Sequence, residues 1–328
     1  MSRLQGQAHS SLAAPPASRS RQELSVLAPF RLDLTVSALR RLPTNVVDVL
    51  TPDGEYVRAF AGAHGSPRGP VIARVSQARP DALTVTIESD ARDALEDARV
   101  LALVRRTLGV DRDLALFGRS AARVPWLSPL ARRMRGVKPP RYPTLWEAFV
   151  NAIVFQQVSL QAASTIARRL IVTLGTSIET EGTPLYLFPS AERVLGTADD
   201  VLRAMGLSTG KIATLRRAGE ALTSGALDEG MLEERASPDA AALLRQIKGI
   251  GPWTATVILL RGLGRLDVFP MNDTSVARNA ALVAGGVPLD VTTILETLAP
   301  QQGMLYYHLL LARLEARGEV GRASVASR

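Results

Sequence analysis

The sequence predicts an α+β protein, mostly helical, in which an N-terminal antiparallel sheet with helices precedes an all-helical second half. Three observations lead there. From Phe30 to about Ser89, apolar and polar residues alternate in short runs broken by Gly and Pro, the period-two pattern of half-buried strands. From Thr144 onward, apolar residues recur three and four apart between helix-start and helix-stop residues. The length of 328 residues exceeds what one ordinary core organises, which favours two units.

Taken in order, residues 1–27 are rich in Ser, Ala, Arg and Pro, with no acid before Glu23, and read as a disordered tail. They lack the apolar stretch of a secretory signal, although a transit peptide shares their composition. Residues 28–113 form the antiparallel α+β unit. FRLDLTV, EYVRAF, PVIARVSQ and ALTVTIES supply its strand-like runs, a helix is expected over 36–42, and another runs from Asp90 to Leu108 before Gly109. Residues 114–143 read as a basic linker. Seven Arg and Lys residues fall between Leu114 and Trp146 without an acid, which suits either a solvated connection or a phosphate-facing surface. Residues 144–317 form the helical unit, opening on a capping box at Thr144 and Glu147, and residues 318–328 read as a second tail.

Composition excludes several chemistries. The absence of cysteine rules out disulfides, a thiolate nucleophile, cysteine-ligated zinc and an iron-sulfur cluster. Three histidines, at 9, 64 and 308, are too few for a histidine-rich metal site. No apolar run reaches the length of a membrane span, so no membrane partner and a cytoplasmic, nucleoid-associated location are expected. The formal charge of +8 suits a polyanionic partner.

One stretch is more specific. Residues 246–256 read QIKGIGPWTAT: a helix ends on Gly, and the next begins with Pro252 in its first turn. Gly249 and Gly251 are expected to allow a hairpin closed to most side chains. Such a turn presents bare backbone N–H groups at a helix N-terminus, with Lys248 alongside, and suits a phosphate oxygen.

Leu244, Ile247, Gly249, Ile250, Gly251, Trp253, Thr254 and Ala255, in that spacing, resemble the helix-hairpin-helix of the DNA glycosylase superfamily. The sequence DVFPMND over residues 267–273 follows where that family carries its catalytic Asp, twenty residues after Trp253, as in the 3-methyladenine DNA glycosylase II branch. Ala152-Ile153, Gln156-Gln157-Val158-Ser159, Gly206-Leu207-Ser208 and Lys211 resemble further segments of that branch. The likeness is good over about residues 140–317 and fainter over 30–110.

The resemblance implies a monofunctional glycosylase acting on alkylated bases in double-stranded DNA without a required cofactor, and a monomer is expected. Asp273 would stabilise the cation that develops on the sugar. Trp253 would wall the base pocket, with Val257 and Gln301 standing where relatives carry other pocket residues and Leu34 or Leu39 as an N-terminal wall. Gly249, Gly251, Thr254 and Lys248 would meet phosphate, and Gln157 would enter the vacated base stack. A structural cation could sit on the carbonyls of Arg245, Ile247 and Ile250. A nucleophilic Lys, present in the bifunctional branch, is replaced by Trp253, so no lyase step is expected. Asp273 also stands at the head of a helix, where capping is an equally good reason for a carboxylate. Glycosylases of deaminated or oxidised purines, and a non-enzymatic DNA-binding hairpin, are the alternative readings.

Overall fold

The alternating runs of the N-terminal unit pair into one antiparallel sheet in the computed structural model, which describes residues 18–62, 69–91, 93–180, 184–271, 273–287 and 289–321. Its strands are β1 (Ser18–Ser25), β2 (Val49–Leu50), β3 (Tyr56–Phe60), β4 (Val71–Arg79) and β5 (Ala82–Ser89), in the order β1-β5-β4-β3-β2. Leu83, Val85 and Ile87 of β5 point to the core while Thr84 and Thr86 between them stay half exposed. Helix α1 (Leu32–Arg40) is buried along its whole length, and α2 (Ala94–Leu108), capped by Asp93, lies against β4 and β5.

Two expectations need correction here. Residues 18–25, placed in the disordered tail, form β1, paired from Ser18↔Ser89 to Ser25↔Ala82. The strand is polar because it sits at the sheet edge with alternate residues exposed, and only the free edge of β5 reveals its place. Residues 1–17 lie outside the described residues. The basic linker carries helices α3 (Ala115–Ala122) and α4 (Leu127–Arg133), whose Phe117, Leu127 and Leu130 are buried. Arg119, Arg123, Arg132, Arg133 and Arg135 are exposed on or just after these helices, whereas Lys138 is buried and Arg141 half-buried against backbone carbonyls, so the segment is a packed element with a charged surface rather than a connection.

The helical unit continues with α5 (Leu145–Val154), α6 (Leu160–Leu174), a small β6 (Thr176–Ile178) and β7 (Leu185–Leu187) ladder, α7 (Ala191–Leu195), α8 (Asp199–Ala204), α9 (Thr209–Thr223) and α10 (Glu229–Glu233). It ends with α11 (Ser237–Leu244), α12 (Pro252–Gly262), α13 (Thr274–Ala284), α14 (Val291–Leu298) and α15 (Gly303–Ala316). One core joins the sheet to α2, α5, α9 and the first half of α12, and a second joins α1, α3, α4 and α15. Leu34 and Leu39 are interior residues of these cores, at 3% and 1% exposure, and neither lines the cavity that Trp253 borders.

The two units are also joined by buried charge. Arg58 of β3 donates to Asp48 and, at 2.6 Å, to Glu147 of α5, while the Tyr56 hydroxyl donates to Asp48 at 2.9 Å. Burial alone lowers the Arg58 pKa, but the two carboxylates outweigh it and hold it well above its usual value. The capping box is therefore half made. Thr144 Oγ1 accepts from the Glu147 amide at 3.2 Å, whereas the Glu147 carboxylate turns away to Arg58.

Candidate active site

The hairpin between α11 and α12 builds one wall of the site. Gly249 takes φ +103, and a Cβ there would stand 2.0 Å from Thr214 Oγ1, so this position requires glycine. Gly251, expected to share that role, has φ −89 and ψ 179, an extended conformation open to other residues. What it supplies is bare space: nothing lies within 4 Å of a Cβ placed there. Ile250, buried beneath the turn, and Pro252 in the first turn of α12 fix the direction in which the helix leaves.

Trp253, in the first turn of α12, reaches the segment before α13. Its Nε1 donates to Asp273 Oδ2 at 2.8 Å, and Asp273 Oδ1 accepts from the Val276 amide at 3.1 Å. Asp273 therefore caps α13 and also faces a cavity of about 770 Å³ that Trp253 lines with it. The approach to Asp273 is fixed by the Gly303 amide, bonded to Leu266 O at 2.7 Å, and by Gln302, which donates to Asp267 O at 2.6 Å.

The opposite wall is the loop between α5 and α6. Gln156 Nε2 donates to Gly249 O at 3.0 Å and to Thr254 Oγ1 at 2.8 Å, tying this loop to the hairpin. Gln157, next in the chain, is exposed at the cavity mouth with φ +54, a left-handed conformation that non-glycine residues rarely adopt. Gly249, Gly251 and Thr254 border the same cavity, and Lys248 is exposed beside them.

Two expected pocket residues lie elsewhere. Val257 is 1% exposed, because the turn of α12 after Trp253 faces the core. Gln301 is held away at the α14–α15 joint, where its Oε1 accepts from the Phe117 amide at 2.8 Å and its Nε2 donates to Asp113 O at 2.7 Å. Their places are taken by residues that no local pattern singled out: Phe155 at the end of α5, Tyr306 and Arg313 of α15, and Arg41 just past α1. Tyr306 and Arg313 stand seven apart on one helix face, a spacing visible in the sequence, but their neighbours are set by the packing of α15. Burial lowers the Arg313 pKa, and nearby Arg317 and Arg278 push it the same way. His308, on α15 but facing Phe117 in the core, is pushed down to about 4 by burial and takes no part in the cavity.

Residues 150–287, which include the hairpin, Trp253 and Asp273, match the family described as HhH-GPD superfamily base excision DNA repair protein. The chain belongs to this superfamily. The HhH-GPD match begins inside α5 and ends just after α13, so it spans the tied loop, the hairpin and the carboxylate. Over 214 residues the chain is 26% identical to a DNA-3-methyladenine glycosylase of Bacillus subtilis, covering 65% of this chain and 71% of that protein. Over 222 residues it is 32% identical to a probable bifunctional transcriptional activator/DNA repair enzyme AlkA of Mycobacterium tuberculosis, covering 67% of this chain but 42% of that protein. The fold of the whole molecule is similar to a 3-methyladenine DNA-glycosylase from Archaeoglobus fulgidus, with a TM-score of 0.73 at 23% identity over 90% of this chain and 99% of that one.

Proposed function

We propose that this HhH-GPD protein is a monofunctional DNA glycosylase that releases alkylated bases of the 3-methyladenine type from duplex DNA, leaving an abasic site. The observation that carries the reading is Asp273, fixed by the Trp253 indole and a helix amide at the edge of a cavity large enough for an extruded base. The N-glycosidic bond is inaccessible inside a stacked duplex, so the nucleotide must rotate out to reach such a cavity. Exposed Gln157 at the mouth would occupy the space it leaves.

As the bond from sugar to base lengthens, positive charge develops on the sugar ring. A fixed carboxylate stabilises that charge more than the neutral ground state and can orient the attacking water. Trp253 both orients Asp273 and lines the cavity, so one indole couples base contact to the position of the catalytic group. Among the described residues lining the cavity there is no lysine, which supports base release by water without an amine-linked strand cleavage.

Backbone N–H groups at Gly249, Gly251 and Thr254, with the exposed Lys248, would hold a phosphate beside the lesion. Within the same reading, a structural cation sits on the carbonyls of Arg245, Ile247 and Ile250. The Ile247 carbonyl accepts from the Ile250 amide at 2.9 Å and retains a second lone pair for it. The enzyme then works as a monomer on chromosomal DNA, in the cytoplasm, with no organic cofactor.

The test is base release from duplex DNA carrying methylated purines, comparing wild type with Asp273→Asn and scoring strand breaks before and after alkali. The reading expects breaks only after alkali in wild type and loss of release in the variant, with DNA binding kept. DNA binding without release by wild type from any lesion would sink it.

A further inference from the structure

The N-terminal unit sends one charged group into the base cavity, and the mechanism above does not use it. Arg41 is 4% exposed, lines the same cavity as Trp253 and Asp273, and lays its guanidinium 3.8 Å from the centre of the Phe155 ring. Its Nη1 is buried with no hydrogen-bond partner among the described residues. A buried donor without an acceptor is unfavourable, and a charged one more so, which makes such a group in a cavity wall a mark of ligand recognition.

The backbone beneath it points the same way. Arg41 has φ +63 and ψ −60, and the Leu42 amide bonds back to Arg40 O at 2.8 Å, closing a γ-turn of the rare positive-φ kind. Arg261 of α12 holds this turn in place, donating to Ala38 O at 3.0 Å and Leu39 O at 2.8 Å. The helix that carries Trp253 thus also positions the element that carries Arg41.

We infer that Arg41 is a specificity-determining residue that selects alkylated purines bearing a 6-carbonyl oxygen, the guanine type, over the adenine type. This rests on the glycosylase reading and, within its 3-methylpurine substrates, puts the preferred base at 3-methylguanine rather than 3-methyladenine. A planar guanidinium matches the O6 and N7 acceptors of a guanine edge, whereas adenine presents an amino donor at the 6-position, which a guanidinium cannot accept from. With Phe155 already covered by a cation, ring attraction to a positively charged base is weakened at that wall for both types alike. Discrimination therefore falls on the hydrogen-bonding edge.

Duplex DNA treated with dimethyl sulfate carries 3-methylguanine and 3-methyladenine together, with the same methyl position and the same charge. The two bases released from it are quantified by mass spectrometry, after subtraction of spontaneous loss, for wild type, Arg41→Gln and Arg41→Lys. Because both products come from one sample, their ratio does not depend on how much of a variant is folded. Wild type is expected to favour 3-methylguanine, and each variant to shift the ratio toward 3-methyladenine by about tenfold, the loss typical of a hydrogen bond to a charged donor. An unchanged ratio, with both products falling together, would make Arg41 a structural or phosphate-binding residue and overturn the inference. If wild type releases neither base, the glycosylase reading fails by itself. Equilibrium binding of the two free bases then decides Arg41: tighter binding of 3-methylguanine, lost in Arg41→Gln, supports it, and equal binding overturns it.

Discussion

Two acidic sites in this protein answer opposite physical demands. Asp48 and Glu147 are buried against the Arg58 guanidinium between the sheet and α5, where each charge is met by its opposite. Asp273 is held by an indole N–H and a backbone amide at the edge of an open cavity. A carboxylate bonded directly to a guanidinium inside the core has its field largely cancelled and serves to join elements. Asp273, oriented by an indole N–H and a helix amide and within electrostatic reach of Arg313, shares no direct guanidinium bond of that buried kind and stands where its field reaches whatever enters the cavity, which is what stabilising a sugar cation requires. Both are well ordered by hydrogen bonds, so order alone does not separate structure from catalysis.

The largest effect that would test this contrast is on the structural side. Arg58→Ala leaves two buried carboxylates without their partner and is expected to cost about 3–5 kcal/mol of unfolding free energy, read from urea denaturation. Base release per folded molecule should be unchanged; a selective loss of activity would erase the distinction. On the catalytic side, Asp273→Asn is expected to lower single-turnover base release by about 10²–10³-fold. Asn also caps helices well, so thermal stability should move little, and a large fall in melting temperature would mean that the cap is the chief role of Asp273.

A third test uses a titratable group wholly inside the core. His308 is pushed from 6.5 down to about 4 in the fold, so between those values the unfolded chain binds a proton that the native state does not. Stability should therefore fall as pH drops from 6.5 toward 4, by roughly 3 kcal/mol at most. His308→Gln should flatten that part of the urea-midpoint profile; an identical slope in the variant would place the acid sensitivity elsewhere. The smallest effect expected is that of Trp253→Phe, which keeps a ring in the cavity but removes the bond to Asp273. A loss of about tenfold in base release, the size of one such hydrogen bond, is expected, and no loss would mean that Asp273 is positioned by its helix alone.

How far the sequence reveals these sites depends on whether the constraint is local. The sharp turn at Gly249 and the helix starts at Thr144, Ser159, Ser208 and Pro252 are conditions on neighbouring backbone, and they stand in the structure where the residue types imply. Strand β1 was hidden because SRSRQELS is polar, and its stability comes from a free edge that β5 offers much later in the chain, at Ala82–Ser89. Val257 and Gln301 were misplaced because spacing from Trp253 and Asp273 does not tell which way a side chain turns once α12 and α15 pack. Arg41 carried no signal beyond lying between a helix and Pro43.

The sequence by itself determined the class of fold, the hairpin, the residues around Trp253 and Asp273, and the exclusion of cysteine chemistry, because each follows from residue type, short-range spacing or composition. Only the tertiary structure decided that the indole binds the carboxylate, that Gln156 ties the loop to the hairpin, and that Arg41 and Phe155 share the cavity wall. Those contacts join residues up to 114 positions apart, as from Arg41 to Phe155, and their geometry is fixed by how the buried faces of α1, α5, α12 and α15 fit together.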